Sequence, residues 1–343
     1  MRALVLRLLR AAATLFGLVL VTFLLLRLAP GDPAALRFAD PTTSPAPGAL
    51  EAIARFREAH LLDRALPVQF LQYLGPFDLS ARGHEWFGGS GEHRWNGLLA
   101  FDLGHEYLRP SVSIASELGQ RLCVTIPLAL VSALLALALA VPLGIAQALR
   151  RGSAFDVVAS LTTLTLYSTP VFWGALLLLA AFGPAGLGLF PVMGSQAFET
   201  FGGAVRHSVL PVVCMSYGAL AYVSRQMRSA VLETVRQDYV LAARARGLPE
   251  RAVVLRHIVR NSLLPALTLV GQVLPWLVGG SLVVETVFEI PGMGKYAFDS
   301  LERREYDAVA ACVLVSGVMT LAGLALSDFL YARFDPRLRH GDS

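Results

Sequence analysis

The sequence has 343 residues, of which 55% are hydrophobic and only 16% are charged, and its mean hydropathy is +0.57. Soluble domains average about a quarter charged residues, so this composition excludes an ordinary soluble domain and indicates a membrane protein. The formal net charge of +4 is modest and is explained by membrane topology, so it gives no reason to expect nucleic-acid binding.

Six stretches without charged residues each approach or exceed the roughly 20 residues that a helix needs to cross a bilayer. They cover residues 11–26, 122–149, 157–182, 208–224, 262–284 and 308–327. The sequence therefore predicts an all-α polytopic membrane protein with six transmembrane helices.

The first stretch has an alternative interpretation as a secretory signal peptide, because Arg2, Arg7 and Arg10 precede an apolar run. The run ends in LLLRLAPGDPA, which lacks a small-x-small cleavage site, and five further spans follow it. We therefore interpret residues 1–29 as an N-terminal tail with the first transmembrane helix.

Residues 30–121 form a long segment between the first and second spans. Within it, residues 49–62 place Ile53 and Phe56 at helical spacing, opposite charged residues such as Glu51. This pattern predicts an amphipathic helix.

Residues 75–106 are rich in glycine and tryptophan and contain His84, His93 and His105. Three histidines raise the possibility of a metal site, but neither a His-x3-His pair nor a cysteine partner accompanies them. We interpret them as exposed loop histidines and predict no metal site.

Prolines occur in several predicted spans, at Pro127, Pro142, Pro170, Pro211, Pro265 and Pro275. A proline removes a backbone donor and kinks a helix, and neighbouring groups in a bundle can satisfy the freed carbonyl. The pattern has two equally good explanations. The prolines bend helices that line a pathway, or they reflect the ordinary frequency of proline in membrane helices.

The densest charge lies between the fourth and fifth spans, in DYVLAARARGLPERAVVLRHIVRNSLLP, residues 238–265. We expect the fourth helix to continue through about Arg246. Gly247 suits the left-handed position that closes a helix, and Pro249 suits the first position of the next one. The sequence therefore predicts a helical corner at Gly247.

From Glu250 onward, one arc of a helical wheel collects Ala252, Val254, Leu255, Ile258 and Val259. The opposite arc collects Glu250, Arg256, His257, Arg260 and Asn261, with Arg251 and Val253 as exceptions. Such a helix can lie at the interface with its arginines on anionic lipid. That alternative explains the charge but does not require a corner, whereas a docking site for a soluble partner would need one.

Arginine placement predicts the orientation. If the N-terminus is cytoplasmic, the inside segments are 1–10, 150–156, 225–261 and the tail from Tyr331, and they hold sixteen arginines against six acids. The outside segments hold thirteen basic and eighteen acidic residues. We therefore predict that both termini are cytoplasmic.

The spans contain no ionisable residue in their interiors, which argues against an autonomous ion-coupled transporter. It also argues against a membrane-embedded acid–base enzyme, and we predict no catalytic residue. A structural or signalling membrane scaffold is a third possible class of function, beside a transporter and an enzyme. The single lysine, Lys295, has Glu289 where a phosphate-binding loop needs its first glycine, so ATP would have to be bound by a partner.

Cys123, Cys214 and Cys312 fall within spans without metal-ligand spacing, and we predict that they pack as small apolar residues. Neutral polar groups within the spans are candidates to line a pathway, although the sequence does not say which of them do. These are Ser132, Thr162, Thr163, Ser168, Tyr217 and Gln272.

The corner resembles the cytoplasmic coupling loop of ABC-importer permeases, whose pattern is Glu-Ala-Ala-x3-Gly. Ala242, Ala243 and Gly247 match it at the correct spacing, and Leu241 replaces the glutamate. The family's Ile-x-Leu-Pro ending is absent at its usual distance, with RHIVRN there instead. Both departures are typical of the dipeptide/oligopeptide/nickel branch.

The resemblance extends along nearly the whole chain, although residues 75–101 are longer than the usual segment. It rests on LLRLAPGDPA (25–34), LPVQFLQYL (66–74), DLGHEY (102–107), ELGQRL (117–122), VPLGIAQALRRGSAFD (141–156), VVETVFEIPGMGKYAFDSL (283–301) and DPRLR (335–339).

The resemblance implies a type I importer permease in a bacterial inner membrane, for di- or oligopeptides or a related small solute. It implies a second, usually non-identical permease, two cytoplasmic ATPases that bind the coupling loops, and an extracytoplasmic binding protein. It implies five transmembrane helices and the coupling loop 225–261 within residues 122–331, with a cytoplasmic tail over 332–343. The ATPase-docking residues that it implies are Tyr239, Ala242, Ala243, Arg244, Ala245, Gly247, Leu248, Pro249 and Glu250.

Overall fold

The computed structural model describes residues 2–29, 34, 48–59, 62–75, 97–191, 200–263 and 282–334. Within these ranges the regular structure is helical, apart from one isolated bridge between His105 and Ser113. The prediction of an all-α chain is confirmed.

In chain order the helices are α1 (Arg2–Leu28), α2 (Ala49–Ala59), α3 (Leu66–Leu74), α4 (Ile114–Leu149), α5 (Ala154–Ser168), α6 (Val171–Phe182), α7 (Phe201–Thr234), α8 (Asp238–Ala245), α9 (Glu250–Val253), α10 (Met293–Glu302) and α11 (Tyr306–Phe334). A π-helical turn over Val254–Val259 continues α9, and residues 282–287 form a short helical segment.

Four of these helices contain a stretch long and apolar enough to cross a membrane. The stretches are Leu6–Leu28, Ile114–Leu149, Gly202–Thr234 and Tyr306–Phe329, and they correspond to the predicted first, second, fourth and sixth spans. Most of the predicted fifth span, with Pro265, Gln272 and Pro275, lies outside the described residues.

The predicted third span is bent at Pro170, one of the prolines that the sequence places inside the predicted spans. Helices α5 and α6 meet at an angle of 106° across Thr169 and Pro170. A residue before proline is pushed from the α-helical into the extended region, and Thr169 has φ −79° and ψ 118°. By contrast, α4 runs through Pro127 and Pro142 without a helix end.

The chain divides into two compact units, and the three boundaries between them fall inside α4, α10 and α11. Unit 1 comprises Met1–Leu122 and Tyr296–Gly317. Its apolar core includes Phe23 of α1, Tyr73 of α3 and Ala310 of α11, all of which are buried.

Helix α2 in unit 1 is amphipathic, as predicted. Phe56 is buried against Tyr107 and Tyr306, while Glu51 and Arg55 are exposed and form an ion pair with each other. Burial of the aromatic face fixes α2 within unit 1.

Glu305, just before α11, is a buried carboxylate of unit 1. It accepts hydrogen bonds from the backbone N–H groups of Tyr107 at 2.6 Å and Leu108 at 2.7 Å. Burial raises the pKa of the Glu305 carboxyl, and these two hydrogen bonds oppose that rise. The carboxylate thus fixes the turn at 107–108 to the start of α11.

Unit 2 comprises Cys123–Lys295 and Val318–Ser343. Its main core joins α4, α6 and α7, and small residues such as Ala136, Ala140 and Ala175 are fully buried in it. A Cβ added at Gly174 of α6 would lie 2.7 Å from the hydroxyl of Tyr217. Small residues let membrane helices approach closely, and that close approach determines the packing of this unit.

Candidate functional site

The helical corner begins after a break that the sequence did not predict. Helix α7 ends at Thr234, a turn follows, and Gln237 is the extended N-cap residue of α8. The expectation of one helix through about Arg246 is therefore wrong. Asp238 occupies the first turn of α8, where a carboxylate interacts favourably with the positive end of the helix dipole.

Gly247 closes the corner in the left-handed conformation that the sequence predicted, with φ +75°. Its N–H donates to the carbonyl of Arg244 at 2.9 Å. An added Cβ at Gly247 would meet no atom within 4 Å, so only the backbone conformation penalises a side chain there. Pro249 is the N-cap residue of α9 and not its first helical residue, one position before the predicted place.

An ion pair spans the corner from α8 to α9. Arg244 Nη2 lies 2.6 Å from Glu250 Oε1, and Nε lies 3.2 Å from Oε2. The guanidinium lowers the pKa of the Glu250 carboxyl by hydrogen bonding to its charged form. Both side chains are substantially exposed, so the pair orients the corner more than it stabilises the protein.

The inner face of the corner packs on the membrane helices of unit 2. Val240 and Ala243 of α8, with Val253 and Ile258, form a buried cluster with Ala148 of α4 and with Met227 and Val231 of α7. Ala243 is only 3% exposed, so its expected place at a partner surface is wrong. The match to the coupling-loop pattern at Ala243 reflects packing within the chain.

The remaining predicted docking residues lie on the outer face and are exposed: Tyr239, Ala242, Arg244, Ala245, Gly247, Leu248, Pro249 and Glu250. The outer face also carries apolar groups, since the exposed fraction is 42% for Tyr239, 52% for Leu241 and 41% for Leu248. An exposed surface that mixes apolar and basic groups is suited to contact another protein.

The helical wheel drawn from Glu250 is wrong at two positions. Leu255 is exposed although it was placed on the apolar arc, and Val253, placed as an exception, is fully buried. The cause is the π-helical turn, in which hydrogen bonds connect residues five apart instead of four. Val253 and Ile258, five residues apart, therefore share the inner face.

Hydrogen bonds connect the corner to its flanking helices. Asn261 Nδ2 donates to the Tyr239 hydroxyl oxygen at 2.9 Å, and Ser262 Oγ donates to Thr234 Oγ1 at 3.0 Å. The first bond connects the segment after the π-helical turn to α8, and the second connects it to α7. The corner is thus bound to α7 through side chains as well as by its backbone.

Two buried carboxylates in unit 2 were not identified as site residues from the sequence. Glu285 is fully buried, and it accepts hydrogen bonds from Thr125 Oγ1 at 2.8 Å and from the N–H of Lys295 at 2.9 Å. Asp156 is also buried and pairs with Arg228. Each lies directly beside a predicted span, where an acidic residue is ordinarily taken as part of a solvated loop. Their burial could have been inferred only from their partners, which are the Thr125 hydroxyl for Glu285 and Gly152 and Arg228 for Asp156.

The pathway candidates give a mixed result. Ser132 and Thr163 are buried and donate to carbonyls of their own helices, whereas Thr162 and Ser168 are exposed. Tyr217 donates from its hydroxyl to the Thr169 carbonyl at 3.0 Å, at the break between α5 and α6. These contacts satisfy polar groups inside the bundle and do not define a pathway.

A cavity of about 590 Å³ opens between α4 and α7 in unit 2. Its described lining is neutral and mostly apolar, and includes Val124, Leu128 and Val212. Cys123 lies on this apolar wall and is exposed, whereas Cys214 and Cys312 are buried.

No metal-binding group of three or more His, Cys, Asp or Glu side chains occurs among the described residues. His105 is half-buried and lies at the isolated bridge to Ser113. His84 and His93 lie outside the described residues.

Known proteins resemble this chain over nearly its whole length. The oligopeptide transport system permease protein AppB of Bacillus subtilis is 32% identical over 337 residues, covering 97% of this chain and 98% of that protein. The di/tripeptide transport system permease protein DppB of Pseudomonas aeruginosa is 33% identical, covering 95% of each. The dipeptide transport system permease protein DppB of Escherichia coli is 30% identical, again covering 95% of each.

A crystal structure of an amino acid ABC transporter with histidines aligns with 64% of this chain and 94% of its own, at a TM-score of 0.47 and 19% identity. The sequence profile of the binding-protein-dependent transport system inner membrane component family matches residues 140–340, a range that includes the corner. Because of this profile match and the relatives that cover nearly the whole chain, we conclude that this chain belongs to the family of inner-membrane permease components of binding-protein-dependent ABC importers.

Proposed function

We propose that this permease is one of two non-identical permease subunits of an importer for dipeptides or oligopeptides. The named relatives over the full length are permease proteins of oligopeptide, di/tripeptide and dipeptide systems. The substrate is delivered by an extracytoplasmic binding protein, and the two permeases together form the translocation path through the lipid bilayer.

The outer face of the corner docks a cytoplasmic ATPase, one of two in the complex. The observation that carries this proposal is the combination of an exposed outer face with an inner face buried on α4 and α7. A force applied at Tyr239 or Leu248 would act on helices that are packed directly beneath it. ATP is bound and hydrolysed by the partners, and this chain has no catalytic residue and no cofactor of its own.

The orientation follows from the arginine distribution. Both termini are cytoplasmic, residues 30–121 and 289–307 face outward, and the loop 225–261 faces the cytoplasm. The first span lies within residues 1–29, the remaining five within 122–331, and a cytoplasmic tail covers 332–343. In a bacterial inner membrane this arrangement puts the corner on the side where ATP is available.

The test is reconstitution of the complete complex in proteoliposomes. The complex combines this chain, a second permease, both ATPases and the binding protein. We expect ATP-dependent uptake of a labelled dipeptide or a longer peptide that stops when the binding protein is omitted. Uptake of a nickel chelate or a sugar without peptide uptake would contradict the substrate class. ATP hydrolysis by the purified chain alone would contradict the assignment of ATP hydrolysis to the partner subunits.

A further inference from the structure

Asp156 in the first turn of α5 and Arg228 in α7 form an ion pair with two parallel hydrogen bonds. Arg228 Nε lies 2.8 Å from Asp156 Oδ1, and Nη2 lies 2.8 Å from Oδ2. The Asp156 side chain is 6% exposed and that of Arg228 is 29% exposed. A two-pronged, charge-assisted pair of this kind fixes orientation as well as distance.

Asp156 also fixes the turn that connects α4 to α5. Its Oδ2 accepts the N–H of Gly152 at 3.0 Å, and its own N–H donates to Ser153 Oγ at 3.3 Å. Gly152 has φ +78°, a left-handed position that favours glycine. One carboxylate therefore joins the end of α4, the start of α5 and the side of α7.

Helices α4 and α7 approach each other closely beside this ion pair, at Gly144. A Cβ added there would lie 2.5 Å from the Ser224 carbonyl oxygen and 3.0 Å from the backbone nitrogen of Arg228. Such short distances leave no room for a side chain at this position, so the two backbones are close here. We call the contacts of Gly144, Asp156 and Arg228 the three-helix junction.

The inner face of the corner rests next to the three-helix junction. Ala148 is one helical turn beyond Gly144 on α4, and Met227 precedes Arg228 on α7. Both belong to the cluster that buries Val240 and Ala243 of α8. A movement of the corner would therefore push on α4 and α7 close to the ion pair. Helix α5 is connected to the same part of α7 through Asp156.

We propose that the Asp156–Arg228 pair is a positioning element that makes α5 move together with α4 and α7 when the corner is displaced. The pair touches no substrate or nucleotide and acts through the three-helix junction. This inference rests on the proposed function, because the displacement it transmits is the one that a docked ATPase would produce. A merely structural role would instead affect the amount and thermal stability of the complex.

The test uses the complete complex with Asp156→Asn and with the exchanged pair Asp156→Arg/Arg228→Asp. The matched control is Glu117→Gln, which breaks the Arg121–Glu117 pair, an ion pair of similar chemistry within the single helix α4. The measured quantity is substrate transported per ATP hydrolysed, with ATPase co-purification and thermal inactivation recorded beside it.

We expect Asp156→Asn to keep both ATPases bound and to lower the transport per ATP about tenfold, within the usual range of coupling free energies. The exchanged pair should recover part of that loss, because an arginine at 156 restores the ion pair but cannot accept the Gly152 N–H. Glu117→Gln should behave as wild type. A complex whose stability falls while transport per ATP stays at the wild-type value would overturn the inference, as would equal loss in the Glu117→Gln control. A failure of the proposed function can be told apart from a failure of this inference, because the wild-type complex itself would then neither bind the ATPases nor take up peptide.

Discussion

Arg244 and Glu250 face each other across the left-handed residue of the corner, and the guanidinium reaches both carboxylate oxygens. The two residues are six positions apart in the sequence and belong to different helices. The pair can form only when the corner is folded, so it reports on the corner directly.

We expect the effect of Glu250→Gln to depend on pH. The folded-state pKa of Glu250 is lowered, so its contribution is present above the ordinary carboxyl pKa of about 4.3 and is lost as pH falls through the folded value. Thermal unfolding of wild type and variant should therefore differ at pH 7 and converge as pH falls below about 4. A difference that is constant over this range would mean that the pair does not form. Added salt should also reduce the difference at pH 7, because the pair is exposed.

Gly247→Val should weaken ATPase docking without unfolding the permease. A β-branched residue in the left-handed region costs on the order of 1–2 kcal/mol, and no neighbouring atom opposes the new side chain. The measurement is ATPase co-purification, with detergent-extracted yield recorded beside it. Gly202→Val is the control, because an added Cβ at Gly202 also meets no atom within 4 Å but its φ is not left-handed. Equal docking by both variants would contradict the role of the corner.

Ala242→Glu and Ala243→Glu should fail in different ways. Ala242 is exposed on the outer face, so a glutamate there should leave the permease folded and reduce ATPase binding. Ala243 is buried with Met227 and Val253, and an unpaired charge there costs several kcal/mol and should lower the folded yield. Fluorescence-detected size exclusion with ATPase co-purification separates the two effects. Identical behaviour would show that the inner and outer faces are not distinct in the membrane.

The orientation predicts the labelling pattern of single cysteines. In a variant without its three native cysteines, a cysteine at Ser90 should react with an impermeant thiol reagent applied from outside. A cysteine at Ser343 should react only after the membrane is opened. The reverse pattern would overturn the orientation derived from the arginine distribution.

Local signals in the sequence predicted the features that depend on one or two residues. The amphipathic face of α2 and the left-handed Gly247 follow from helical spacing and from the conformational freedom of glycine. The identity of the protein class followed from the order of several short motifs along the chain. The amphipathic face and the left-handed glycine were predictable because each is decided by nearby residues.

Features that depend on tertiary packing were not predictable in the same way. The break before Pro170 was not distinguished from the continuous helix through Pro127, because both prolines lie in apolar runs. The burial of Ala243 depends on residues of α4 and α7 that lie far away in the sequence. The pairing of Asp156 could not be predicted, because its partner Arg228 is 72 positions later in the sequence.

We expect the π-helical turn to let the corner accept the loss of one residue. A π-helical turn is equivalent to an α-helix that has accepted one extra residue. Deleting the exposed Leu255 would convert the five-residue spacing between Val253 and Ile258 into the four-residue spacing of an ordinary α-helix. Both side chains would remain on one face, since residues four apart in an α-helix lie on the same side. We therefore expect a one-residue deletion at this point to leave the same side chains pointing inward.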